Sequence, residues 1–365
     1  MDYAKLVRPQ VASMRPYTPG TTVSQAKRKY GLDTFVKLSS NENPLGTSPK
    51  ALAALAAMDE LQVYVDDDHA ELRARLAAPY GLSVEHVLVG HGSNDVVRTL
   101  FGAFLDAGDE VVMADPTFSL FPKDALFYGA VPVRVPLRDG VHDLDAMLAA
   151  VTPATKIVVV VDPNNPTSTR VDPAAFDRFA RALPAQVILI IDQAYREYMP
   201  EGSLEGVDYV HSRPATIVLR THSKLYGLAS LRFGYGLGDA ELLAYAQRAR
   251  LPFNVSRPAA LAALAALDDE AFVRRSLETN EVGKQYLGTA LAELGMDVYP
   301  TAANFVAVAV SGSATAAYEE LLSRGIVTRN GDTLGMPGRL RITIGTPEQN
   351  AQLVAALGAL TPMHA

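Results

Sequence analysis

The chain has 365 residues, 48% hydrophobic and 20% charged, a globular composition long enough for two or three domains. Lys plus Arg number 33 against 40 Asp plus Glu, for a net charge of −7, which argues against nucleic-acid binding through phosphate neutralisation. The absence of cysteine excludes disulfides, thiolate metal sites, iron–sulfur clusters and a cysteine nucleophile, and suits a reducing cytoplasm.

In chain order, the first forty residues are mixed and punctuated by Pro and Gly, and Ser39-Ser40-Asn41-Glu42-Asn43-Pro44-Leu45-Gly46 reads as an ordered loop. Ser48-Pro49 places a cap and a first-turn proline ahead of an Ala/Leu helix. Short apolar runs then alternate with helix-length segments such as Asn94–Leu105 and Asp172–Leu183. The runs are Val84–Val89, Glu110–Met113, Val131–Val135, Lys156–Val161, Val187–Ile191, Ala215–Leu219 and Phe233–Leu237. Continuous apolar strands are covered on both faces, so the pattern predicts an α/β fold with a mostly parallel seven-stranded sheet flanked by helices. Ala259–Ala266 reads as a helix, Asp269–Leu294 as a long one, and Thr315–Ser323 as a third. Asn304–Val310, Ile326–Arg329 and Arg339–Ile344 are strand candidates, and Thr346-Pro347-Glu348-Gln349 is a capping box that opens a last helix. The expected division is an N-terminal arm over residues 1–40, a large domain over 41–257, and a smaller α+β domain over 258–365 that packs with the arm. No apolar run has the length of a membrane span, and no pair among the seven histidines has metal-ligand spacing.

Ligands of open α/β sheets sit at the carboxyl ends of the strands, so the polar residues there are the candidates for chemistry. Gly90-His91-Gly92-Ser93-Asn94, between a strand and a helix, is either a phosphate cradle or an ordinary turn with Ser93 or Asn94 as cap. Asp162-Pro163-Asn164-Asn165-Pro166-Thr167 presents two amides on a loop stiffened by proline, or is simply a turn. Asp192 ends a buried run and needs a cationic or hydrogen-bonding partner, which helix capping also supplies. Lys224, in His222-Ser223-Lys224-Leu225-Tyr226-Gly227-Leu228, is either a lysine made neutral by its apolar setting, and so nucleophilic toward aldehydes, or one whose amine reaches water.

Taken together and in order, Asn165, Asp192, Tyr195, Ser223-Lys224 and Arg232 resemble the fold-type I pyridoxal-phosphate aminotransferases. Four stretches bring the resemblance nearest to the histidinol-phosphate aminotransferase branch: Leu38 through Gly46, Pro163 through Thr167, Ser223 through Leu228, and Leu340-Arg341-Ile342-Thr343-Ile344-Gly345-Thr346. The resemblance implies pyridoxal 5′-phosphate as cofactor. Lys224 would be the lysine bonded to its aldehyde, Asp192 the partner of its pyridine nitrogen, and Asn165 and Tyr195 the partners of its phenolic oxygen. Gly92, Ser93, Asn94, Ser223 and Arg232 would hold its phosphate, Phe118 would stack on its ring, and Tyr64 would reach the phosphate of a neighbouring subunit, which implies a homodimer. Arg341 would clamp a substrate carboxylate, while Arg329 and Tyr17 would contact a substrate phosphate, with Asn41 also at the substrate. The implied reaction is transamination of L-histidinol phosphate with 2-oxoglutarate in histidine biosynthesis. Relatives on this scaffold that act on aromatic or other amino acids, or decarboxylate a phosphorylated amino acid, are the alternatives.

The chain departs from the family pattern at several points. Val65 follows Tyr64 where Pro is usual, and Ser168 occupies a position that favours Gly because positive φ is required. Phe118 replaces a commoner Tyr, Asn94-Asp95 stands for Asp-Glu, and His222 takes the place of Phe or Leu. A regulator with a DNA-binding module is disfavoured by the short segment before Asn41 and by the acidic charge. A Rossmann dinucleotide fingerprint is not met, since the third position after Gly92 is Asp95.

Overall fold

The computed structural model describes residues 1, 3–14, 16 and 23–360. Its strands are β1 (Val36–Lys37), β2 (Val87–His91), β3 (Glu110–Asp115), β4 (Val131–Pro136), β5 (Thr155–Val161), β6 (Ile188–Asp192), β7 (Thr216–Thr221), β8 (Phe233–Gly238), β9 (Phe305–Ala309), β10 (Ile326–Val327), β11 (Arg329–Asn330) and β12 (Arg339–Thr343). Seven of them form one sheet in the order β2-β8-β7-β6-β5-β3-β4. Only β8 runs against its neighbours, so six strands end at the same edge of the sheet. Every residue of β6 is buried, as its unbroken apolar run requires. β4, at the sheet margin, carries Pro132 and Pro136 and exposes Val131, because an edge tolerates missing ladder donors.

Two apolar cores cover the faces of this sheet. One gathers Val112, Val158, Leu189, Val218 and Phe176; the other gathers Val111, Ile157, Ile190, Ile217 and Phe101. The helices that supply these layers start where local chemistry dictates. Ser48 caps Pro49–Ala56 by accepting from Ala51 N–H, and Asp172 caps Pro173–Ala182 by accepting from Ala175 N–H, each with proline in the first turn. Thr346 and Gln349 close a capping box on Pro347–Gly358.

A second, three-stranded sheet has the order β11-β12-β9 and is antiparallel throughout. Leu291, Val306, Leu340 and Leu353 form its core with Leu38 of the N-terminal segment. That segment is tied in by the backbone: β1 pairs parallel with β10, and Leu38 donates to Val327 O and accepts from Thr343 N–H. The chain from Leu38 onward is thereby led between the two sheets.

Three local expectations need correction. Val84–His86 is a 3-10 turn, and its strand starts only at Val87. Ile326–Arg329 is two strands, because β10 pairs with β1 while β11 pairs with β12. The helix Ser93–Phe104 has Gly92 at its N-cap with no side-chain cap, so neither Ser93 nor Asn94 serves in that role.

Candidate active site

The ends of β3, β5, β6 and β7 and the start of β8 surround a cavity of about 630 Å³. Its lining includes Ser93, Asn94, Phe118, Asn165, Asp192, Tyr195, Ser223, Lys224, Arg232, Asn41, Arg329 and Arg341. Most of the residues singled out from the sequence therefore meet in one place. Tyr64 does not line this cavity; it is 77% exposed and stacks on Phe253 at 4.5 Å. Tyr17 lies outside the described residues.

Lys224 follows β7 and points its amine at the Ser40 carbonyl, to which it donates at 3.2 Å. Burial, reinforced by the positive charge of Arg341, pushes the amine down to about 8. Asp192, on the neighbouring strand, is 5% exposed and accepts from Ala194 N–H at 3.1 Å. Burial raises its carboxyl to about 6. An acid in this state gains by facing a cation, since an opposite charge offsets the desolvation that raised it. The Tyr195 hydroxyl accepts from Asn41 Nδ2 at 2.9 Å, and burial pushes its pKa up. Asn41 adopts φ +54 and also donates its backbone N–H to Thr343, so it braces Tyr195 from the second sheet.

At the other end of the cavity, Arg232 donates to Ser223 Oγ at 3.4 Å and to the Ala229 carbonyl at 3.0 Å. A Cβ added at Gly92 would overlap Arg232 Nη2, and one added at Gly234 would overlap the backbone nitrogen of Ser93. Close approach of backbone, helix start, hydroxyl and guanidinium is what a phosphate dianion needs.

Arg341 and Arg329 are partners across the β11–β12 ladder. Like charges directly opposite each other on a sheet cost stability, and an anion between them relieves that cost. Arg341 is 9% exposed and donates to Asn165 Oδ1 and to the Ser39 carbonyl, both at 2.7 Å. Lys123 and Arg134 also line the cavity and were not expected to. They lie on the helix Leu120–Tyr128 and the edge strand β4, where nothing in the local pattern separates them from solvated charges.

The departures acquire reasons. Ser168 has φ +65, and its Oγ accepts from the buried Ala303 N–H at 3.2 Å, a bond that glycine lacks. His222 is buried and stacks on Tyr226 at 4.4 Å, with neither ring nitrogen hydrogen-bonded. Burial drives its pKa down to about 3, so it acts as a neutral aromatic filler.

A fold of this kind, with a lysine, a buried acid and an anion cradle at the carboxyl edge of one sheet, is an arrangement suited to a pyridoxal-phosphate enzyme. Residues 33–357 match the family model for aminotransferase class I and II, and the chain belongs to that family of pyridoxal-phosphate-dependent enzymes. Within it, the chain is 42% identical over 353 residues to the histidinol-phosphate aminotransferase of Moorella thermoacetica, covering 96% of this chain and 92% of that one. It is 41% identical to the histidinol-phosphate aminotransferase of Halalkalibacterium halodurans, with 96% of each chain covered. The crystal structure of histidinol-phosphate aminotransferase from Sinorhizobium meliloti in complex with pyridoxal-5′-phosphate superposes with a TM-score of 0.89 at 28% identity, covering 98% of both chains. The residues present here fit that cofactor. Gly92 and Gly234 leave room that any side chain would fill, Arg232 and Ser223 converge there, and Asp192 offers a buried acid for a ring nitrogen.

Proposed function

We propose that the chain transfers the amino group of L-histidinol phosphate to 2-oxoglutarate, giving imidazole-acetol phosphate and glutamate, in histidine biosynthesis. The carrying observation is the Arg329–Arg341 pair, registered across two strands of the second sheet and facing the cavity that holds Lys224. Two substrates alternate in this site. One presents a carboxylate and the other a phosphate, and a pair of guanidinium groups accepts either anion.

Pyridoxal phosphate, when bound, supplies an aldehyde reactive toward amines and a ring that withdraws electrons from the substrate α-carbon. The chain supplies the rest. Lys224 would hold the aldehyde, and its Nζ, which burial brings down to about 8, would be suited to move a proton at the substrate α-carbon. Asp192 would keep the ring nitrogen protonated, and Asn165 and Tyr195 would hydrogen-bond the phenolic oxygen. Gly92, Ser93, Asn94, Ser223 and Arg232 would hold the cofactor phosphate, and Phe118 would stack on the ring.

The same reading makes the working form a homodimer, with the exposed Tyr64 of each subunit turned to its neighbour's cofactor phosphate. It also divides the chain into an arm (1–40), a large domain (41–257) and a small domain (258–365). The test is a half-reaction. The loaded enzyme is converted by glutamate, excess is removed, and candidate acceptors are offered. Imidazole-acetol phosphate returning the aldehyde form far faster than phenylpyruvate supports the reading; the reverse order refutes it in favour of an aromatic aminotransferase. Carbon dioxide release from a phosphorylated amino acid would indicate a decarboxylase.

A further inference from the structure

A second charged cluster, none of whose members lines the cavity, lies close in sequence to Asp192, Tyr195 and Lys224. Glu205 accepts from two guanidinium groups: Arg220 Nη2 reaches Oε1 at 2.6 Å, and Arg196 Nε reaches Oε2 at 3.0 Å. Arg220 is 2% exposed and belongs to β7, four residues before Lys224. Arg196 directly follows Tyr195. The main chain on both sides of Glu205 is held as well. Gln193, next to Asp192, donates to the Leu204 carbonyl at 2.9 Å and accepts from Gly206 N–H at 3.1 Å.

Burial costs the Arg220 guanidinium hydration, which the charges of Glu197 and Glu205 offset, and such a buried pair is weak evidence for stability alone. It is a good device for register. The two acceptor oxygens of Glu205 tie the turn after β6, which carries Tyr195, to the strand β7, whose continuation carries Lys224 three residues beyond its end. Lys224 Nζ lies 5.7 Å from the centroid of the Tyr195 ring; the β6–β7 ladder and the Gln193 N–H bond to the Leu219 carbonyl align the strands as far as Gln193, and the Glu205 junction adds a side-chain tie to the turn beyond the ladder. We propose that Glu205 is a positioning residue: its carboxylate locks the Tyr195 turn to β7, the strand that leads into Lys224, and so fixes the hydroxyl and the amine against the cofactor. The inference rests on the roles proposed above for Tyr195 and Lys224.

Glu205→Ala and Arg196→Ala test it in the loaded enzyme. Glu205→Ala takes the carboxylate from the buried Arg220 and lowers stability, so its kinetics are read per folded molecule, while Arg196→Ala, at a side chain 24% exposed, is the milder break of the same junction. Glu205→Ala lowers kcat by about tenfold, as expected for sub-ångström misplacement of a reacting group, and leaves the KM for the amino donor within about twofold. It also moves the pH midpoint of the bound cofactor's visible absorbance by about half a unit or more, although Arg341, Glu42, Arg232 and Asp192, the charges acting on Lys224, are untouched. The double variant is no worse than Glu205→Ala alone, because the two residues act as one unit. A lowered melting temperature with an unchanged midpoint and an unchanged kcat per folded molecule would overturn the proposal and leave Glu205 a structural residue. Turnover by Lys224→Ala would instead bring down the underlying roles, whatever Glu205 does.

Discussion

The sharpest consequence of the site concerns the ionisation of Lys224. An ordinary lysine amine has its pKa at about 10.4 and is roughly 0.4% neutral at pH 8. Burial and the Arg341 charge bring Lys224 to about 8, so about half of it is neutral at that pH and about 3% at pH 6.5. Only the neutral amine attacks an aldehyde. The depressed value therefore places the gain in reactivity below the usual amine range: reactivity is full above pH 8 and falls as pH drops through it. The assay is the rate at which cofactor-free enzyme develops colour with pyridoxal phosphate, divided at each pH by the rate for Nα-acetyl-lysine, which removes the titration of the free cofactor. The ratio rises by more than a hundredfold between an alkaline reference and pH 8, following the neutral fraction. Arg341→Met removes the largest electrostatic contribution, and the midpoint moves upward without reaching that of free lysine, because burial remains. A midpoint near that of free lysine in the unaltered enzyme would refute the argument.

Three further outcomes follow from the same geometry. Gly234→Ala drives a methyl group into the Ser93 backbone and weakens cofactor retention by about tenfold or more, measured by equilibrium titration, as displaced phosphate donors require; Gly288→Ala, with open space around it, raises stability by about 0.5–1 kcal/mol in urea melts. Asp192→Asn removes an acid that burial has already raised to about 6, so it leaves folding intact while lowering kcat by about a hundredfold or more; near-normal turnover would exclude Asp192 as the partner of the ring nitrogen. Ser168→Ala keeps the left-handed backbone and strands the buried Ala303 N–H, costing about 1–3 kcal/mol in urea melts; Ser168→Gly relieves the backbone while losing the same bond, so its cost is smaller.

The order of the large sheet's elements was legible because the signals are local. The unbroken run Val187–Ile191 could only be an interior strand, and Ser48-Pro49, Asp172-Pro173 and Thr346-Pro347 mark helix starts through side-chain contacts three residues away. Strand boundaries were less legible: Val84–Val89 looked continuous, yet its first residues are a 3-10 turn, since hydrophobicity alone does not distinguish a short turn from a strand.

The composition of the cavity was legible too, through residues just beyond strand ends. Asp192, Asn165, Ser223 and Lys224 follow apolar runs, and parallel strands bring such positions to one edge. The opposition of Arg329 and Arg341, the hold of Asn41 on Tyr195, and the junction of Arg196, Glu205 and Arg220 were not legible. Each joins segments whose sequence separation carries no local periodicity, and Glu205 reads as a solvated loop acid until Arg220 is seen to be buried. The amino acids by themselves determined which segments are strands or helices and which polar groups stand at strand ends, because backbone propensity and hydrophobic period act between near neighbours. Only tertiary packing decided the registers between strands, the burial that lowers the pKa of the Lys224 amine, and the distances between charges, because these depend on surfaces from remote parts of the chain excluding water together.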